Sequence, residues 1–87
     1  MDKSLFSAEY EMFLRKLRDA RQRAGLTQDA LAQRLGRRQA FVSKFERGER
    51  RVDVVELRAF CKAMGVSFRE FVTELDEEIE QQAGDQL

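Results

Sequence analysis

Side chains that can contact a negatively charged polymer are concentrated between Arg15 and Arg51. This segment contains twelve Lys or Arg residues and four Asp or Glu residues, although the 87-residue chain has no net charge. A basic block of this kind is typical of a surface that neutralises phosphate groups. The alternative is a pair of solvated helix faces. The chemistry predicted for this segment is noncovalent recognition of anions.

Three residues within this block have the hydrogen-bonding or packing properties needed to read nucleic-acid bases. They are Gln39, Ala40 and Lys44, in the run QAFVSKFE. An amide pairs with adenine N6 and N7, lysine reaches guanine O6 and N7, and a small alanine contacts a thymine methyl group. Placed early on one exposed helix, these side chains would face base edges.

Composition excludes most catalytic and metal chemistry. The chain has no histidine and one cysteine, Cys61, so a histidine-based triad, a zinc site and an internal disulfide cannot be assembled. We predict no enzyme activity, no cofactor and no metal. Cys61 lies on an apolar helical stripe, which favours a buried thiol over a redox sensor.

Three short helices are predicted in the first 47 residues. Helix 1 begins at an N-cap on Ser7 and is closed by Gly25. Helices 2 and 3 span about Thr27–Leu35 and Arg38–Arg47, with Gly36 between them. A helix pair joined by a tight turn forms a helix-turn-helix, whose second helix enters the DNA major groove.

Two further helices complete the predicted bundle. Capping boxes formed by Asp53 with Glu56 and by Ser67 with Glu70 begin helices 4 and 5, and Gly65 ends helix 4. We predict one all-α domain over residues 1–87, a compact five-helix bundle. Its core spans about residues 8–73, followed by an extended helix 5 and a flexible acidic tail over about 74–87, with disorder from residue 81. No secretory signal or membrane span is expected, which predicts a cytoplasmic protein.

The residues of helices 2 and 3 resemble a known family. The pattern L-T-Q-x-x-L-A-x-x-L-G, followed by Q-A-F-V-S-K-F-E-R-G, is similar to phage Cro proteins and lambda-type repressors, the XRE family. The resemblance covers roughly Leu14 to Val72. It implies a lambda repressor-like DNA-binding domain in which Gln39, Ala40 and Lys44 read bases. Expected phosphate contacts are Gln28, Arg37, Arg38, Ser43, Arg47, Arg50 and Arg51.

The resemblance also implies a partly buried salt bridge between Arg21 and Glu46. Two positions depart from the family pattern. Arg38 stands where a Ser or Thr usually caps helix 3, and arginine cannot accept hydrogen bonds from the helix amides. Phe41 replaces a small polar residue and could pack on thymine methyls or sugars, lie against helix 2, or meet another protein. We place Phe41 with the base-reading residues.

Helix 5 carries an apolar stripe beyond the expected end of the core. Leu75 and Ile79 continue into the acidic run ELDEEIE, and apolar side chains displayed past a core usually seek another surface. We predict a homodimer interface formed by Phe68, Phe71, Leu75 and Ile79. The alternative is that the stripe folds back against helix 1.

These features predict a sequence-specific transcriptional regulator of double-stranded DNA. We expect a repressor that binds a pseudo-palindromic operator as a homodimer in a prokaryotic or phage setting, at the nucleoid when DNA-bound. One alternative is an antitoxin or adaptor that binds a protein partner, such as a toxin or polymerase. Another is a restriction-modification controller that also activates transcription.

Overall fold

Five helices account for most of the chain in this computed structural model, which describes the backbone of residues 5–85 and the side chains of residues 7–83. The helices are Leu5–Arg23 (α1), Gln28–Arg34 (α2), Gln39–Glu46 (α3), Val54–Met64 (α4) and Phe68–Asp85 (α5). Residues 5–85 contain no strand, and none of their helices is long and apolar enough to cross a membrane. The predicted all-α, five-helix architecture is confirmed.

Side-chain caps begin α2 and α4 where the sequence predicts them. The Thr27 hydroxyl accepts a hydrogen bond from the Ala30 N–H at 3.0 Å. Asp53 and Glu56 form a reciprocal capping box, in which each side chain accepts the other residue's N–H. By contrast, Arg38 precedes α3 without a side-chain capping bond. α3 must therefore be held mainly by its packing rather than by its cap.

Two predicted helix boundaries are wrong. α1 begins at Leu5, so Ser7 lies inside the helix instead of capping it. α5 continues to Asp85, so the disorder expected from Gln81 is absent over residues 81–85; residues 86 and 87 lie outside the described residues. No glycine or proline occurs in residues 5–7 or 81–83. No local signal therefore ends either helix at the predicted boundary.

Aromatic rings from α3 and α4 occupy the centre of the core. Phe45 and Phe60 are almost wholly buried and meet edge to face, with ring centroids 5.3 Å apart. Leu17 of α1 and Leu31 of α2 are buried in the same cluster. Each such side chain contributes about 1.5–3 kcal/mol through burial. These contacts fix the orientation of α3 on the rest of the bundle.

α5 lies against α1, and the partly buried Leu75 packs against the chain's own core, which agrees with the alternative interpretation of the apolar stripe. Phe71 is 4% exposed and meets Phe13 edge to face. The expectation that Phe71 forms a dimer interface is therefore wrong, because its ring is already covered by the chain's own core. The Lys16 ammonium lies 3.0 Å from carboxylates of both Glu74 and Glu78. Burial opposes the charge on Lys16, but these two hydrogen bonds outweigh it and raise its pKa.

The Cys61 thiol is expected to be unreactive in the folded protein. It is fully buried, and burial raises its pKa from 9.0 to about 11. Reaction with a disulfide reagent at pH 8 should be about 100-fold slower than in the urea-unfolded chain. The stability contributed by the protonated thiol is present below pH 9.0 and lost as pH rises towards about 11. A native thiol that reacts as fast as the unfolded one would contradict this prediction.

Candidate nucleic-acid interface

The turn between α2 and α3 sets the angle between the two helices. Gly36 adopts the left-handed region at φ 69°, and the Arg37 N–H then donates to the Ala32 carbonyl at 2.9 Å. Val42 on the inner side of α3 is fully buried. The opposite side of α3 consequently faces solvent, and Gln39, Ala40 and Lys44 are all exposed there. The three predicted base-reading side chains lie on one accessible surface.

A buried ion pair fastens the C-terminal end of α3 to α1, as the family resemblance implies. Arg21 Nε and Nη2 donate to the two carboxylate oxygens of Glu46 at 2.6 and 3.0 Å. Arg21 Nη1 also donates to the Leu26 carbonyl at 2.8 Å. The Arg21 and Glu46 side chains are only 10% and 5% exposed. This bidentate pair has a structural role, because both charged groups are turned away from the solvent surface of α3.

Two glutamines connect this ion pair to the exposed start of α3. Gln28 donates to Glu46 Oε1 at 2.9 Å, and Gln39 donates to Gln28 Oε1 at 3.1 Å. An amide has two N–H donors and one carbonyl. Gln39 therefore has one N–H and its carbonyl oxygen available for other contacts. A bidentate contact with adenine requires one donor and one acceptor of this kind. Gln28 orients Gln39 in addition to being a predicted phosphate contact.

Two of the predicted phosphate contacts pair with nearby carboxylates. Arg47 donates to both Glu49 oxygens and to the Ser43 hydroxyl, and Arg50 donates to Glu56 at 3.0 Å. Hydrogen bonding to Arg47 lowers the pKa of Glu49, and the same contact raises the pKa of Arg47. Exposed pairs of this kind contribute little stability. A phosphate can therefore replace either carboxylate at small cost.

Phe41 is placed differently from the expectation that it reads bases. Its half-buried ring lies inward, with its centroid 4.8 Å from that of Phe45 and 6.1 Å from that of Phe60. The guanidinium groups of Arg37 and Arg50 lie over the ring. The base-reading assignment of Phe41 is not supported, because cationic side chains and core residues surround the ring.

Tyr10 also contributes to this surface, and its position in the sequence does not predict that role. Its hydroxyl accepts a hydrogen bond from the Val52 N–H at 3.1 Å, and the Arg51 guanidinium lies 4.4 Å from its ring centroid. Tyr10 thus anchors the loop after α3. A weak signal was present in the sequence: a buried tyrosine usually needs a partner for its hydroxyl, whereas phenylalanine or leucine does not.

Fold and surface together define an all-α helix-turn-helix protein whose second motif helix, α3, is exposed and flanked by arginines. A family model described as a helix-turn-helix domain matches residues 13–75. The chain is 43% identical to an XRE-family like protein from Pseudomonas syringae pv. tomato str. DC3000. The alignment covers 87% of this chain and 93% of that one, with a TM-score of 0.83. The chain belongs to the helix-turn-helix domain family and is of the XRE type.

A second relative comes from Sinorhizobium fredii (strain NBRC 101917 / NGR234). It is described as an uncharacterized HTH-type transcriptional regulator, y4dJ, and is 42% identical over 57 residues. The match covers 66% of this chain and 74% of the relative. The resemblance to the XRE family seen in the motif residues is thereby confirmed.

Proposed function

We propose that the protein is a sequence-specific regulator of transcription that binds double-stranded DNA and represses by occupying an operator. The observation that carries this proposal is the exposed placement of Gln39, Ala40 and Lys44 on α3, with a buried ion pair holding α3 in position. The Sinorhizobium relative's description as a transcriptional regulator supports it. Such a protein would act in the cytoplasm, at the nucleoid.

Different side chains would read the bases and position the protein on the DNA backbone. Gln39, Ala40 and Lys44 would contact base edges in the major groove. Side chains around α3 would hold phosphates and set the register without reading sequence. These phosphate contacts are Gln28, Arg37, Arg38, Ser43, Arg47, Arg50 and Arg51.

A homodimer would place two α3 helices on one operator. Phe68, Val72, Leu75 and Ile79 recur at spacings of four, three and four residues along α5. All four are at least partly exposed, and Phe68 and Leu75 also pack against the chain's own core. This spacing is typical of a seam between two helices. Val72 replaces the buried Phe71 in the predicted interface. Two-fold symmetry through this seam would relate the two α3 helices, and a pseudo-palindrome with half-sites about 34 Å apart requires such a relation.

Selection of bound sequences from a random duplex library tests the proposal. We expect one enriched half-site, repeated with inverted symmetry. On the selected duplex, Gln39→Ala and Lys44→Ala should each weaken binding by about 1–3 kcal/mol, because each removes a base contact. Binding to random duplexes should change much less, and the selected base preference should relax at one position for each variant.

Arg58→Ala is a matched control, since Arg58 is an exposed arginine on α4 outside the proposed contacts. It should leave base preference unchanged. A protein that binds the selected and random duplexes equally at physiological salt would overturn the regulator proposal. That result would favour an antitoxin or adaptor role.

A further inference from the structure

The aromatic ring of Phe41 contacts two arginines, one near each end of α3. Arg37 lies in the turn before α3, and Arg50 lies in the loop after it. Their guanidinium carbons are 4.7 and 5.3 Å from the Phe41 ring centroid. Two exposed arginines that are distant in sequence therefore contact the same ring.

The Phe41 ring is itself held firmly from the inside. It meets Phe45 edge to face at an interplanar angle of 87° and also contacts Phe60. Phe45 and Phe60 are almost completely buried. Swinging the ring outwards to touch a base would break both aromatic contacts. The half-buried ring is consequently a fixed support for the two guanidinium groups.

We propose that Phe41 is a positioning residue that holds Arg37 and Arg50 as one phosphate-binding pair beside α3. This inference rests on the proposed function and deepens it. An arginine contacts an aromatic ring through the face of its guanidinium, whereas its N–H donors lie in the guanidinium plane. Arg37 and Arg50 can therefore stay over Phe41 while donating to phosphate oxygens. Holding two long side chains in place before DNA arrives reduces the entropy lost on binding.

Arg50 has two further contacts in the free protein. Arg50 Nη2 donates to Glu56 at 3.0 Å, while the Arg50 side chain remains 51% exposed. Its guanidinium carbon lies 4.9 Å from the Phe45 ring centroid as well. Glu56 is fixed by its capping box with Asp53. Arg50 is thus held between two rings and a carboxylate, and a phosphate would take the place of Glu56.

The test compares Phe41→Leu, which keeps an apolar side chain but removes the ring, with Phe41→Tyr, which keeps the ring. Binding is measured by fluorescence anisotropy on the duplex selected from the library and on a random duplex of equal length. Phe41→Leu should weaken binding to both duplexes by about three- to tenfold, because it removes two cation–π contacts. Phe41→Tyr should bind within about twofold of the wild-type protein.

A mutant cycle distinguishes a role of Phe41 in positioning the two arginines from a role in core packing alone. In an Arg37→Ala, Arg50→Ala background, Phe41→Leu should cause no further loss of affinity. Thermal melting followed by circular dichroism shows whether each variant is folded at the assay temperature. If Phe41→Leu melts too low, Phe41→Met gives the same comparison, since methionine is flexible, apolar and lacks a ring.

Three results would overturn the inference while leaving the proposed function intact. They are wild-type affinity in Phe41→Leu, an altered base preference in that variant, or an equal loss of affinity in the arginine-free background. The second would make Phe41 a base contact, and the third would make it a packing residue only. Failure of the wild-type protein to bind any duplex would instead overturn the proposed function, and this inference with it.

Discussion

Replacing Arg21 with methionine is expected to lower the free energy of unfolding by about 3–5 kcal/mol. The Glu46 carboxylate would remain buried, and among the described residues the Gln28 amide would be its one remaining side-chain donor. The Leu26 carbonyl would also lose its guanidinium donor. For a domain of this size, each kcal/mol shifts the melting temperature by about 4–8 °C. Thermal and urea unfolding followed by circular dichroism would measure the loss. DNA binding should fail wherever the variant is unfolded, although Arg21 does not face DNA.

The control for this prediction is the double variant Arg21→Met, Glu46→Leu. It removes both charges, so no unpaired carboxylate stays buried, and it should be more stable than Arg21→Met alone. Arg23→Met, which changes an exposed arginine two residues away on α1, should alter stability by less than about 0.5 kcal/mol. The prediction fails if Arg21→Met unfolds within about 1 kcal/mol of the wild-type protein.

Replacing Val72 with aspartate is expected to separate the proposed homodimer. Val72 is 41% exposed, so the chain's own core loses little when it is changed. Two aspartates facing each other across a two-fold seam would be desolvated and would repel. Sedimentation should show a monomer at micromolar concentrations at which the wild-type protein is a dimer. Affinity for the selected palindrome should fall by about 100-fold, because two linked reading helices would become independent.

Thr73→Asp is the matched control, since it adds the same charge at the next position of α5, outside the proposed seam. It should leave both the oligomeric state and operator affinity unchanged. A Val72→Asp protein that remains dimeric would exclude the α5 seam. The search for the interface would then move to the start of α4, where Val54 and Val55 are 66% and 74% exposed, more than any other large apolar side chain among residues 7–83.

These predictions assign different tasks to the two sides of α3. Its inner side carries Val42, Phe45 and Glu46, which determine where the helix lies. Its outer side carries Gln39 and Lys44, which would determine the DNA sequence that is bound. Changes on the inner side should therefore act through stability, whereas changes on the outer side should act through base preference.

The amino-acid sequence by itself determined the helices and the surface chemistry of this protein. Thr27, Asp53 and Gly65 mark helix ends through local hydrogen bonds and backbone conformation, which depend only on neighbouring residues. Val42 and Phe45 are three residues apart in the sequence, a helical spacing that predicts the buried side of α3, and Gln39 and Lys44 lie off that side. The Arg21–Glu46 pair was predictable because a recurring family motif records a contact that spacing alone does not reveal.

Tertiary structure decided what the aromatic side chains contact. Phe71 is buried because α5 lies against α1, where its ring meets Phe13. The placement of Phe41 and Tyr10 depends on loops and on helices distant in sequence, which bring Arg37, Arg50 and Arg51 to their rings. Helical periodicity predicts which side of a helix is apolar. It carries no information about which neighbour covers that side, because that is set by the three-dimensional path of the chain.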